Sequence, residues 1–136
     1  MKSDRTSGVI LKYDNKVLLC KRADHETYAG KWFIPTGHLE ANETPRDCAY
    51  REFYEETNIK IEEEISLIGF IDKKDEEGEP KGLIYVYLYE SDKERIPNLD
   101  KAQDGHEHSD CGFFTIDDLP VDKNDELFKI LTKILS

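Results

Sequence analysis

Residues 37–59, GHLEANETPRDCAYREFYEETNI, place one glycine, one arginine and four glutamates at fixed offsets. Five residues separate Gly37 from Glu43, seven more separate Glu43 from Arg51, and then come Glu52, Glu55 and Glu56. This spacing predicts a loop that runs into a helix. Thr44 suits an N-cap and Pro45 suits the first helical position. The helix is expected over about residues 45–57, with Asn58 as the left-handed residue that ends it, because Asn tolerates positive φ better than other non-glycine residues.

On that helix Glu52, Glu55 and Glu56 stand at i, i+3 and i+4, so three carboxylates share one face and repel. No lysine or arginine stands four residues from Glu52 or Glu56 within the helix to relieve them. A divalent cation would turn the repulsion into binding, and ligation by oxygen alone favours Mg²⁺ or Mn²⁺. Ala49 and Phe53 lie to one side of the acidic face and can pack inward. The bland alternative is a solvated acidic face, the usual fate of a glutamate run. The full pattern with its glycine loop and Arg51 is far more specific than such a run. Average residue frequencies put its chance occurrence at roughly one in ten thousand. A calcium loop is excluded, because residues 72–79 (DKKDEEGE) do not set ligands and glycine at the required offsets. That stretch reads instead as a hairpin turn broken by Gly78 and Pro80.

A chain of 136 residues is expected to form one domain, residues 1–136, with a real core. Its net charge of -11 argues against broad binding to nucleic acid or to an anionic membrane. It does not exclude a phosphorylated substrate, because a bound metal inverts the local charge. Cys20, Cys48 and Cys111 are odd in number, far apart and form no CxxC pair, which suggests a reduced, cytoplasmic setting and no zinc site. The start MKSDRTSG has no apolar leader region, and the longest apolar run, residues 83–89, is too short to span a bilayer.

Residues 7–13 and 16–22 read as two strands around an Asp14-Asn15 turn. Residues 65–72 and 82–90 read as two more, the second with Tyr85, Tyr87 and Tyr89 on one face as sheet packing. Residues 91–110 are a long polar segment, residues 111–116 a short strand, and residues 125–135 an amphipathic closing helix. The result is a mixed α/β domain.

The complete pattern G-x5-E-x7-R-E-U-x-E-E-x-G-U, with U aliphatic or aromatic, resembles the Nudix box, with Asn58 in place of its second glycine. The segments GKWFIPTG (30–37) and GFFTIDDLP (112–120) resemble that family's approaches before and after the box, with Thr36 replacing one glycine of the usual Pro-Gly-Gly. The resemblance implies an α/β/α sandwich with a mixed central sheet. It implies hydrolysis of a nucleoside diphosphate linked to another moiety, with Mg²⁺ (or Mn²⁺) and water as nucleophile. It further implies that Glu52, Glu55, Glu56 and the Gly37 carbonyl bind metal and that Arg51 pairs with Glu43 to hold loop and helix together.

The general base is Glu52 or Glu55 within the box, or Glu107 on the polar segment; the alternative for Glu107 is a solvated loop residue. His106 and His108 form one His-x-His, a weak metal signal. Arg22, Tyr28, Trp32 and Thr36 are the substrate-binding candidates, and Trp32 reads equally well as a base-stacking platform or a core anchor. The partner implied is a small nucleotide: a nucleoside triphosphate, ADP-ribose, a nucleotide sugar or a dinucleoside polyphosphate. A homodimer is left open. The alternative function is a non-catalytic Nudix module that senses a nucleotide. Such modules usually lose box carboxylates, and here all are present.

Overall fold

Residues 9–11 and 17–20 are unbroken apolar runs, which suit strands covered on both faces. In the computed structural model, which describes residues 5–26, 28–75, 77–103 and 107–135, they lie in β1 (Arg5–Tyr13) and β2 (Lys16–Arg22). Asp14 and Asn15 join the two strands at φ 50° and 59°, the paired left-handed geometry that a tight hairpin requires. The other strands are β3 (Trp32–Phe33), β4 (Thr36–His38), β5 (Ser66–Lys74), β6 (Pro80–Glu90) and β7 (His108–Phe114). They form one sheet ordered β3-β2-β1-β6-β5, with β4 also pairing β1 and β7 pairing β2. β1 runs parallel to β6, from Arg5↔Leu83 to Lys12↔Glu90, and antiparallel to β2 and β4, so the sheet is mixed as expected.

Alternation along the central strands splits the core in two. Ile10, Val17 and Leu19 point to one side, where Leu127, Leu131 and Leu135 of helix α2 (Glu126–Leu135) cover them. Val9, Leu11 and Leu18 point to the other, where Ala49 and Phe53 of helix α1 (Pro45–Thr57) pack with Tyr85, Tyr87 and Tyr89 of β6. Each fully buried aliphatic or aromatic side chain contributes about 1.5–3 kcal/mol, and this burial fixes α1 against the sheet. The architecture is an α/β/α sandwich.

Helix α1 has the expected bounds. Thr44 Oγ1 accepts from the Asp47 N–H at 3.1 Å, and Asn58, at φ 63°, donates its N–H to the Tyr54 carbonyl at 2.8 Å. Beyond it, the polar segment is more tied down than its composition suggests. The Asn98 N–H reaches the Thr57 carbonyl at 2.9 Å and the Gln103 N–H reaches the Glu55 carbonyl at 2.7 Å. These bonds satisfy carbonyls left over at the helix end. β7 begins at His108 rather than at residue 111, because its first residues pair with β2 (Arg22↔His108).

The expectation of three separated thiols is corrected. Cys20 and Cys111 are direct partners on β2 and β7 and form a disulfide across a sequence separation of 91, while Cys48 is free and buried. Distance along the chain does not report strand register, so the cysteine spacing carries no information on the compartment. Among the described residues, no helix is long and apolar enough to cross a membrane.

Candidate active site

The site forms where β4 turns into α1. Gly37 lies at its centre because the Glu52 carboxyl is pressed against its Cα: a Cβ there would fall 1.9 Å from Glu52 Cδ. Gly37 is not among the positive-φ residues, so close approach and not backbone freedom demands glycine. The Cys48 thiol donates to the Gly37 carbonyl at 3.4 Å, and burial pushes that thiol up to about 12, so it stays protonated.

Arg51 organises the acids. Its Nε donates to Glu43 Oε2 at 2.7 Å and its Nη2 to Glu43 Oε1 at 2.9 Å. Nη2 also reaches the His38 carbonyl at 3.1 Å. Nη1 donates to Glu52 Oε1 at 2.8 Å and to Glu55 Oε2 at 3.2 Å. The pairing with Glu43 is the one anticipated. No cation stands four residues from Glu52 or Glu56 within the helix, but Arg51, one residue before Glu52 and four before Glu55, relieves both of those acids.

The two best-bonded carboxylates respond in opposite ways. Hydrogen bonds from Arg51 hold Glu43 below the ordinary carboxylate range. Glu52 is raised, because burial outweighs the hydrogen bond from Arg51. Glu56 is fully buried beneath them. His108 Nε2 lies 3.8 Å from Glu56 Oε1. Burial, and secondly the Arg22 charge, holds His108 down at about 4, so its ring is neutral near pH 7.

Three carboxylates and a main-chain carbonyl at one loop–helix junction are an oxygen-only donor set, which fits a hard divalent cation. Among the described residues no three acidic, histidine or cysteine side chains are already grouped as a metal cage. Here Glu52 and Glu55 both turn to the Arg51 guanidinium. A cation would offset the cost of burying Glu52 and Glu56.

Above this junction opens a cleft of about 990 Å³, within the range that holds a nucleotide. Gly37, Arg51 and Glu52 line it, as do Arg22, Tyr28, Thr36 and Glu107. Arg22 Nη2 is ion-paired with Glu26 at 3.0 Å. The Tyr28 hydroxyl donates to the Lys74 carbonyl at 2.6 Å, which straps its loop to β5. The Glu107 carbonyl accepts from the Ala23 N–H at 2.8 Å. Trp32 is not on the cleft wall. It meets Phe114 edge-on at 5.2 Å and packs against the α2 core, in the position of a core anchor. His106 lies outside the described residues.

The sequence reading missed Thr6, His38 and Lys73, which also line the cleft. His38 could have been flagged by its place directly after Gly37. Lys73 could not, because the choice between Lys73 and Lys74 depends on a register shift in the β5–β6 pairing at those residues.

A NUDIX domain family model matches residues 2–134, and the chain belongs to that family. It is 41% identical over 56 residues to a MutT-like protein of Streptomyces ambofaciens, covering 41% of this chain and 34% of that protein. It is 32% identical over 111 residues to the ADP-ribose pyrophosphatase of Methanocaldococcus jannaschii, covering 82% of this chain and 61% of that one. The chain therefore spans less than two thirds of either curated relative. Among solved structures, a MutT NUDIX hydrolase from Burkholderia pseudomallei superposes with a TM-score of 0.77 at 26% identity, covering 97% of both chains.

Proposed function

We propose that this chain, as one Nudix domain over residues 1–136, is a metal-dependent pyrophosphohydrolase that cleaves a phosphoanhydride bond in a nucleotide by water attack. The observation that carries the reading is the set Gly37, Arg51, Glu52 and Glu107 on one nucleotide-sized cleft, with Glu55 bonded to the same arginine and Glu56 buried below. The family and the pyrophosphatase among its relatives support it.

Glu52, Glu55, Glu56 and the Gly37 carbonyl would hold Mg²⁺ or Mn²⁺. Such an ion, when bound, neutralises phosphate oxygens and lowers the pKa of water. Arg51 keeps the loop that carries Gly37 registered against α1. A carboxylate, Glu52, Glu55 or Glu107, takes the proton as the water oxygen bonds to phosphorus. The bridging P–O bond breaks and its electron pair leaves with the departing phosphate. Arg22 and Thr36 stand where substrate phosphates would lie, and Tyr28 borders the same space.

The test is a panel with Mg²⁺ of a nucleoside triphosphate, ADP-ribose, a nucleotide sugar and a dinucleoside polyphosphate, reading released phosphate or nucleoside monophosphate. Glu55→Gln and Glu56→Gln should each lower turnover at least about a hundredfold, several kcal/mol of lost transition-state stabilisation. Rates near wild type in both variants at saturating Mg²⁺ would exclude the metal role.

A further inference from the structure

We propose that Lys73, His38 and Thr6 form a subsite for the terminal phosphate of the substrate, so that the cleft prefers nucleotides ending in a free phosphate over those capped by a sugar. The proposal rests on the hydrolase reading above and adds the substrate class.

The three residues come from three strands, β5, β4 and β1. Thr6 and His38 are direct partners in the β1–β4 pairing. The Lys73 ammonium donates to Thr6 Oγ1 at 3.1 Å and stands 3.2 Å from His38 Nε2. An ammonium has only protons to offer, so Nε2 is the lone-pair nitrogen of a neutral ring and the ring proton sits on Nδ1. The Thr6 hydroxyl accepts from lysine and so can direct its own proton elsewhere. Two groups on neighbouring strands thus hold a positive charge in place, and all three residues line the cleft.

The subsite is keyed to the catalytic end. His38 follows Gly37 directly, and its carbonyl accepts from Arg51 Nη2 at 3.1 Å. Two other acids that line the cleft, Asp75 and Glu126, accept main-chain N–H groups. Asp75 accepts from the N–H groups of Glu77 and Glu79 at 3.0 and 2.9 Å and lies 3.9 Å from Lys81. Asp72 lends its N–H to Glu126 at 3.1 Å. Lysine binds phosphate as a point charge. A terminal phosphate carries about -1.5 to -2 at pH 7, whereas an internal bridging phosphate carries one charge, so a fixed ammonium favours the terminal group. A sugar in the same place brings only neutral hydroxyls.

The experiment compares wild type, Lys73→Met and Lys73→Arg with Mg²⁺, using a nucleoside triphosphate and ADP-ribose as substrates. Thermal melts of all three proteins confirm folding. For Lys73→Met, KM for the triphosphate should rise about 30-fold, the scale of one charge-assisted hydrogen bond, with kcat within about threefold. ADP-ribose kinetics should move less than about threefold, and Lys73→Arg should recover most of the loss. Equal losses for both substrates, or no loss for the triphosphate, would overturn the subsite. Calorimetric binding of a methylene-bridged nucleoside triphosphate gives a second readout that needs no turnover. Binding that depends on Lys73 without hydrolysis of any substrate would keep the subsite and sink the hydrolase reading. Binding or turnover indifferent to Lys73 would sink the subsite alone. Failure of wild type to bind the analogue at all would overturn it as well.

Discussion

Arg51 grips Glu43 with two parallel hydrogen bonds, Nε to Oε2 at 2.7 Å and Nη2 to Oε1 at 2.9 Å. Glu43 also receives the Glu40 N–H at 2.9 Å, so the carboxylate is the clasp that closes the loop after Gly37. The remaining nitrogen, Nη1, faces Glu52 and Glu55. One guanidinium therefore fixes the loop and lies against the acids proposed to hold the cation.

Removing it should cost stability and activity together. Both partners are mostly shielded, with side-chain exposures of 24% and 13%, so Arg51→Ala should destabilise by about 2 kcal/mol, between the surface and the buried case. Arg51→Lys keeps the charge but not the fork and should recover less than half of that loss. Urea melts beside steady-state kinetics check this. An unchanged melt with a large rise in KM would instead make Arg51 a substrate contact.

The same pair predicts a pH signature. The folded-state pKa of Glu43 is lowered from an ordinary 4.5, chiefly by Arg51. The unfolded chain therefore takes up the proton first as pH falls. The stability contributed by Glu43 is complete above about pH 4.5 and is lost as pH drops through the lowered value. The stability difference between wild type and Glu43→Gln should be flat from pH 7 to 5.5 and shrink as pH falls below about 4.5. A gap that grows on acidification would contradict the clasp.

Gly37 gives a sharper test, because its requirement is steric. A Cβ would lie 1.9 Å from Glu52 Cδ and 2.1 Å from Oε2. The displaced atoms end a flexible side chain, so Gly37→Ala should fold, with a loss of about 1–3 kcal/mol in stability. Glu52 must swing away, and turnover should fall about a hundredfold with weaker Mn²⁺ binding, measured by calorimetry. Full activity in Gly37→Ala would show that the observed Glu52 position is not the working one.

The helix was readable from sequence because its ends are punctuated. Thr44, Pro45 and Asn58 each impose local geometry, and Pro45–Thr57 follows from them. The Arg51–Glu43 pair was readable through the motif that the residues match. What escaped depends on strand register. Whether Cys20 meets Cys111, or Lys73 rather than Lys74 meets His38, depends on how strands distant in sequence pair. Trp32 was open for another reason. A tryptophan beside a loop has the same composition signature as base platform or core anchor, and only its contact with Phe114 distinguishes the positions.

The Cys20–Cys111 bond predicts a thiol count. Protein purified without reductant and denatured should titrate one thiol per chain, that of Cys48, and three after reduction. The bond closes a long loop, so reduction or Cys111→Ser should lower stability by about 2–4 kcal/mol. Three thiols in the unreduced, denatured protein would show that the pair is not bonded in solution.

Of the candidate bases, Glu107 and Glu52 line the cleft, and the surroundings of each predict different losses. Glu52 sits on α1 against Gly37, within the proposed ligand set, and burial raises its pKa. Glu107 sits one residue before β7, with its carbonyl tied to Ala23. Losing Glu52 should weaken Mn²⁺ binding and turnover together. A base at Glu107 outside the ligand set would, when lost, lower kcat about a hundredfold or more and leave Mn²⁺ affinity nearly intact. The measurement is kcat and Mn²⁺ affinity for Glu107→Gln and Glu52→Gln side by side. The box is the favoured location of the base, because Glu52 is held at a fixed place beside the other carboxylates. On that reading Glu107→Gln keeps kcat within about threefold of wild type, below the usual cost of losing a general base. A hundredfold fall in kcat with unchanged Mn²⁺ affinity would move the base from the box to Glu107.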